Sequence, residues 1–270
     1  MTYSASLPDR GVLELSGPDR VAFLNGLVSN EVGNAAPGRA VWAALLTPQG
    51  KYLVDFFIFS DGERLLLDIP RAVIPDLMVK LQRFKLRSAV EIKDVSEQLF
   101  VHAFWGGDAP EGALTAADPR LGEAGFRGLY TSLLPCTARA KDYAIHRLQL
   151  GLPDGEPDLE PGKTLLLEAG FDELHGIDWK KGCYMGQELT ARTKYRGLVK
   201  RRLLPVTLPQ EGLAAGTPIF AQGQEVGTLR SSVGLLGLAT LPRTALGLSL
   251  EIMGQKLRVQ TPGWLALPTP

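Results

Sequence analysis

The hydrophobic pattern of the first 150 residues changes its period several times. Two apolar runs rich in aromatic residues, 40–46 and 52–59, flank the sequence TPQGK and predict a β-hairpin with a Pro/Gly turn. Shorter runs of apolar and β-branched residues predict strands at 11–15, 64–69, 90–93 and 99–104. This part of the chain is therefore expected to be rich in strands.

Helical spacing interrupts these strands. A first helix follows Ser16 and Asp19, either of which can cap it. Residues 70–87 have the clearest pattern, with one apolar face and several cations near the end where the helix dipole favours positive charge. A third helix is predicted over 141–150 and stops at a Gly-Leu-Pro sequence. The order strand–helix–hairpin–strand–helix–strand is typical of the α+β class.

The pattern changes after Arg202. Short strand candidates broken by Gly and Pro follow one another without a long helical pattern, which indicates a small β-barrel or sandwich. We therefore predict an α+β domain over 1–202, with room for two interleaved subdomains, and a C-terminal β domain over 203–270. The Gly-, Ala- and Pro-rich run 106–128 is expected to be irregular.

Composition and charge exclude several classes of protein. The 270 residues suffice for a sizeable core, and the formal net charge of zero argues against a general nucleic-acid binder. No apolar stretch is long enough to cross a bilayer, and the first ten residues lack the pattern of a secretory signal. A cytoplasmic location is expected by default.

The chain has two cysteines, Cys136 and Cys183, and no CxxC pair. Two thiols cannot form a four-cysteine zinc site or hold an iron–sulfur cluster by themselves, so we assign no metal ligands. Cys136 lies in an apolar stretch with no clustered acid or base, which favours a buried and inert thiol.

Cys183 lies in a richer setting, the segment KGCYMGQE. A helix starting just after Cys183 would favour its thiolate, and Lys181 would lower the thiol pKa further. Gly182 permits unusual backbone angles and close approach of a ligand, while Gln187 and Glu188 could orient that ligand or cap the backbone. Such a thiolate can act as a nucleophile, a one-carbon acceptor or a single soft metal ligand. The alternative is an inert cysteine in a glycine turn.

Charge is segregated around this segment. Residues 151–178 contain eight acids against one base, and residues 179–202 contain eight bases against one acid. The two runs are either solvated surfaces or, for the second, a cationic rim beside Cys183 that receives an anionic ligand.

The sequence KGCYMGQELTAR closely resembles the signature of the YgfZ family, folate-binding proteins that assist iron–sulfur cluster assembly and are related to the aminomethyltransferase of glycine cleavage. Over 167–206 the chain is especially similar to the mitochondrial members, which serve late four-iron–four-sulfur maturation. Weaker likeness is found over 15–32, 45–59 and 216–232. The resemblance thus covers most of the chain, but only the segment around Cys183 is highly specific.

The resemblance implies ferredoxin-like α+β units followed by a small β-barrel, around a central channel that holds tetrahydrofolate. It implies partners among iron–sulfur assembly proteins, and client enzymes that include radical enzymes modifying tRNA. Any cluster at Cys183 would be transient and shared with a partner, because one cysteine cannot hold it.

The residue roles rest on the chemistry of the residues together with this resemblance. Cys183, Lys181 and Asp55 are the candidate catalytic residues. The candidate cofactor-binding residues are Trp179, Gly182, Tyr184, Gln187, Glu188 and Arg192. Arg201 and Arg202 are further candidates for the folate carboxylate, by charge alone.

One departure concerns Asp55. Aminomethyltransferases usually carry an Asp-Asp pair after the hairpin glycines, whereas this chain reads Val54-Asp55. Asp55 is either an acid that works with folate or a strand residue that faces solvent or bonds to the backbone. His175 is either a turn residue or a partner of the thiol, and Trp42 and Trp105 are expected in the core or a cavity wall.

Two other functions stay open at this point. The chain could be a folate-dependent one-carbon transferase in which Cys183 or Asp55 handles the transferred group. It could also be a folate-binding scaffold in which Cys183 merely packs.

Overall fold

A computed structural model describes residues 2–265 of the chain. The strands are β1 (Tyr3–Ser6), β2 (Arg10–Ser16), β3 (Val41–Leu46), β4 (Tyr52–Ser60), β5 (Leu65–Pro70), β6 (Glu91–Asp94), β7 (Phe100–Trp105), β8 (Thr115–Ala117), β9 (Phe126–Tyr130), β10 (Arg201–Thr207), β11 (Pro218–Ala221), β12 (Gln224–Val233), β13 (Leu236–Pro242), β14 (Leu250–Ile252) and β15 (Gln255–Val259). The α-helices are α1 (Arg20–Asn25), α2 (Ile74–Lys85), α3 (Ala140–Leu150) and α4 (Gln187–Tyr195).

The strands form two antiparallel sheets and a closed barrel. One sheet has the order β3-β4-β5-β2-β6, the other has the order β1-β7-β9-β8, and β10 to β15 close the barrel. This arrangement of mixed sheets and helices followed by a six-stranded barrel confirms the predicted fold class. The last five residues of the predicted C-terminal domain lie outside the described part of the chain.

The five-stranded sheet is buried on both faces. In β3, Val41, Ala43 and Leu45 face one core that includes apolar residues of α1 and α2. The alternate residues Trp42 and Ala44 face a second core, shared with the four-stranded sheet and α3. Because both faces are covered, the hairpin strands are almost continuously apolar rather than alternating.

Predicted and observed elements differ at a few places. The helix predicted from residue 70 begins at Ile74, because β5 extends to Pro70 and a single 3₁₀ turn over Arg71–Val73 follows it. The run 106–128 is not wholly irregular: it contains β8 and the start of β9, with Gly125 turning the chain at a φ of 87°. A strand of three residues is too short to produce a readable pattern.

The barrel encloses its own small core, to which Leu204, Leu229 and Ile252 contribute fully buried side chains. Between residues 2 and 265, no helix has the length and apolar character needed to cross a membrane. The N-terminal strand of the barrel follows α4 closely, so the segment that carries Cys183 lies just before the junction of the two parts.

Candidate cysteine site

The segment carrying Cys183 is tied to the turn that follows α1. The Asp178 amide donates to the Ser29 carbonyl at 3.1 Å, and the Met185 amide donates to the Gly26 carbonyl at 3.2 Å. The buried hydroxyl of Ser29 also donates to the Gly176 carbonyl at 2.7 Å. We call residues 178–185 the cysteine loop and residues 25–30 the receptor turn.

Lys181 points its ammonium into the receptor turn. Its Nζ donates to the carbonyl oxygens of Asn25 and Val28 at 2.7 Å each and to that of Asn30 at 2.8 Å. The Nζ also lies 5.2 Å from the centroid of the Tyr184 ring. The donors of Lys181 are thus used within the fold, which differs from the expectation that they act on the thiol of Cys183.

Cys183 itself is exposed to solvent. Helix α4 begins at Gln187 with Gly186 as its N-cap, four residues after the cysteine, and not directly behind it. Because the influence of a helix dipole falls off within the first turn, α4 gives the thiol little of the predicted activation. The alternative of a buried and inert cysteine does not hold either, because the thiol is exposed and open to a partner.

Gly182 and Gly186 occupy very different surroundings. A Cβ at Gly182 would meet nothing within 4 Å, and its φ is outside the left-handed region. Gly186 has a φ of 79°, and a Cβ there would lie 2.5 Å from the Thr47 carbonyl oxygen and 2.9 Å from the Cα of Gly50. The hairpin turn therefore packs against the start of α4, whereas the space beside Cys183 is open.

The other predicted ligand residues bond mainly to one another. Tyr184 is buried in the core, and its amide donates to the Gln187 side chain at 3.0 Å. Glu188 pairs with Arg192 at 2.5 Å on the exposed face of α4. Such an exposed pair contributes little to stability.

Trp179 is held by its neighbours as well. Its indole N–H donates to Asp172 at 2.7 Å, and the Lys194 ammonium lies 4.0 Å from the ring centroid. Of the two arginines considered for a carboxylate ligand, Arg202 is buried and pairs with Glu173 at 2.8 Å, while Arg201 is exposed. Trp179 and Arg202 thus have their polar groups paired with acidic residues of the same chain.

Asp55 lies in the interior rather than at a solvent-facing strand position. It is fully buried, and its two carboxylate oxygens accept hydrogen bonds from the indole of Trp42 and the hydroxyl of Tyr52, at 2.8 Å each. Burial raises the pKa of the Asp55 carboxyl, and the nearby charge of Asp154 adds to the rise. No hydrogen bond among the described residues joins Asp55 to Cys183.

A network of buried ion pairs lies beside Asp55. Arg127 donates to Asp68 at 2.7 Å and to the Tyr143 hydroxyl at 3.0 Å, and its guanidinium lies 4.1 Å from the centroid of the Phe57 ring. Further buried pairs join Arg10 to Asp68 and Asp154, Arg120 to Asp118, and Arg147 to Asp158. Sequence reasoning missed this network because the partners of Asp68, Arg10 and Arg127, lie 58 and 59 residues away from it in the chain.

Packed side chains fill the space beside Asp55, where the resemblance implies tetrahydrofolate. Trp42, which bonds Asp55, stacks on Phe171 with ring centroids 3.9 Å apart, and Arg120 lies 5.4 Å from the Trp42 ring. All of these side chains are fully buried. The surface cavities that we describe, of about 230 to 680 Å³, are lined neither by Asp55 nor by the cysteine loop. A pterin beside Asp55 would require these rings to move.

The remaining candidates fall outside the cysteine loop. Cys136 is exposed, not buried as expected, with its sulfur 3.9 Å from the buried ring of His102. His175 is an exposed turn residue with a φ of 57°, whose carbonyl accepts from Asn30. Across residues 2–265, no three His, Cys, Asp or Glu side chains are grouped to hold a metal ion.

Comparison with solved structures shows the fold. The glycine cleavage aminomethyltransferase T from Bartonella henselae superposes with a TM-score of 0.71, covering 98% of this chain and 86% of its own, at 14% identity. The profile of the C-terminal β-barrel domain of CAF17 matches residues 200–267.

Comparison with curated proteins shows the family. The human iron–sulfur cluster assembly factor IBA57, mitochondrial, is 34% identical over 272 residues, which cover 87% of this chain and 76% of the human protein. This chain belongs to the IBA57 family. The IBA57 homologue of Mycosarcoma maydis is 37% identical over 238 residues and that of Neurospora crassa 32% over 248.

Membership in the IBA57 family refines the resemblance to YgfZ proteins and corrects one prediction. The chain spans 58% and 56% of the two fungal IBA57 homologues. The human and fungal relatives are all named as mitochondrial, so the cytoplasmic location expected by default is wrong.

Proposed function

We propose that this protein is an accessory factor for iron–sulfur cluster assembly, in which Cys183 is the thiol that contacts the cluster. The observation that carries the proposal is an exposed cysteine in a loop anchored on both sides, in a chain of the IBA57 family. An exposed thiol on a fixed loop can reach a cluster held by another protein without a change in the fold.

The chemistry requires a partner. A single cysteine supplies one of the four ligands that a two- or four-iron cluster needs, so the partner must supply the others. A thiolate-ligated cluster is anionic, which suits the cationic run of the chain from Lys180 to Arg201. The clients that we propose to assay first are four-iron–four-sulfur enzymes, including radical enzymes that modify tRNA.

A one-carbon transferase is less well supported. Such an enzyme needs its reacting groups beside bound folate, but Asp55 is enclosed in the core while Cys183 is exposed. Tetrahydrofolate stays a prediction of the family resemblance, and no step of our proposal uses it.

Complementation tests the role of Cys183. In cells lacking the endogenous factor, the wild-type chain is expected to restore a four-iron–four-sulfur enzyme activity, and Cys183→Ala to leave it near the deletion level. Cys136→Ala is a matched control because it removes the other exposed thiol, and it should restore activity fully. Equal rescue by Cys183→Ala and wild type, at equal protein level, would contradict the proposal.

A further inference from the structure

We propose that Lys181 is a positioning residue whose ammonium fills a niche of three backbone carbonyls and thereby fixes the loop that presents Cys183. This inference rests on the proposed function in one respect: it takes Cys183 as the thiol that contacts the cluster. It replaces the expectation that Lys181 acts on the thiol directly.

The niche exists because the receptor turn leaves carbonyls without backbone partners. Asn25 is the last residue of α1, and the terminal carbonyls of a helix have no amide to accept from within the helix. Val28 and Asn30 direct their carbonyls to the same point, as the three distances of 2.7 to 2.8 Å show. An ammonium has three N–H donors and so satisfies the three oxygens at once.

Charge and burial support an ammonium at this point. Burial lowers the pKa of Lys181 to about 8, against the opposite influence of Glu31 and Asp178, so the group is still protonated at pH 7. The Tyr184 ring covers another side of the cation. A neutral side chain of the same length would leave three partly buried carbonyls without these donors, which is costly.

Lys181 lies where its contact with the receptor turn can hold Cys183 in place. Backbone hydrogen bonds to the receptor turn hold Asp178 before it and Met185 after it. Cys183 lies between Lys181 and Met185, two residues from each. Three anchors on one turn therefore fix both sides of the cysteine, and Lys181 supplies the only charged one among the described contacts of the loop with this turn.

Amide hydrogen exchange with chemical rescue tests the niche. In full-length Lys181→Ala, exchange at the Met185 and Asp178 amides should speed up by about tenfold or more, since three charge-assisted hydrogen bonds are lost. Ethylammonium chloride should restore slow exchange by placing an ammonium among the carbonyls. Tetramethylammonium chloride at the same ionic strength should not, because it has no N–H donor. Lys180→Ala, which removes the exposed neighbouring lysine, should exchange like wild type.

A second measurement needs no variant. Acetic anhydride labelling of the native wild-type protein at pH 7, read by mass spectrometry, should modify Lys180 at least about tenfold faster than Lys181, because the Lys181 ammonium is held by three acceptors. A free amine with a lowered pKa would react faster instead. Faster labelling of Lys181, or unchanged exchange in Lys181→Ala, would overturn the proposal. Both readouts are independent of cluster assembly, so they stand apart from the complementation test.

Discussion

Arg127→Met is expected to lower the free energy of unfolding by about 3–5 kcal/mol, because removing one partner leaves Asp68 buried with a reduced set of donors. The methionine can fill much of the volume but cannot donate to Asp68 or to the Tyr143 hydroxyl. Its sulfur also lacks the charge that the guanidinium places over the Phe57 ring. Urea unfolding at pH 7 measures the change as a lower midpoint at constant slope.

The matched control for Arg127 is Arg71→Met at the surface. Arg71 pairs with Glu97, and both side chains are substantially exposed, so the expected change is below about 1 kcal/mol. The double variant Arg127→Met/Asp68→Asn should cost less than the sum of the two single variants, because neither charge is then left alone. Equal losses at Arg71 and Arg127 would show that the interior network does not stabilise the fold.

Gly186→Ala is expected to destabilise the protein by about 2–4 kcal/mol, whereas Gly182→Ala should stay within about 0.5 kcal/mol of wild type. At Gly186 the added methyl meets a left-handed φ and the backbone of the hairpin turn at 2.5 Å. At Gly182 it projects into open space. Thermal or urea unfolding of the two variants gives the comparison.

The two glycine variants also distinguish an effect on stability from an effect on cluster assembly. With stability unchanged, Gly182→Ala places a methyl next to Cys183 on the side open to a partner, and we expect reduced rescue in the complementation assay. A stable Gly186→Ala would show that the hairpin turn does not pack against α4 as described. Full rescue by Gly182→Ala would mean that no partner approaches the cysteine closely on that side.

Local pattern was sufficient for most of the fold. Apolar periodicity and the positions of Gly and Pro predict the hairpin, α2, α3 and the strands of the barrel. The predicted bounds of these elements differ from the observed bounds by only a few residues. β1, β8 and β9 were not predicted, because their four, three and five residues are too few for a clear period to be read. The joining of strands into two sheets with non-consecutive neighbours needed long-range contacts that no local pattern contains.

The candidate site was predictable in its residues but not in its geometry. The segment around Cys183 was singled out by its residues and by the family resemblance, yet the direction of Lys181 depends on a turn 151 to 156 residues earlier. Asp55 was placed correctly in a strand, but its enclosure depends on Trp42 and Tyr52, which both donate to its carboxylate. Two polar residues directly after the apolar pattern of α1, Ser29 and Asn30, were the available sign of the receptor turn.

The contacts of Lys181 with the receptor turn join residues that the ribosome adds at very different times. In a growing chain Asn25 is added long before Lys181, because 156 residues separate them. The carbonyls of the receptor turn stay hydrated until Lys181 has been added. Ordering of the cysteine loop is therefore a late event, after most of the core can already have formed. A nascent or truncated chain that ends before Cys183 would carry the receptor turn without the thiol, so a partner that recognises the ordered loop would not engage it.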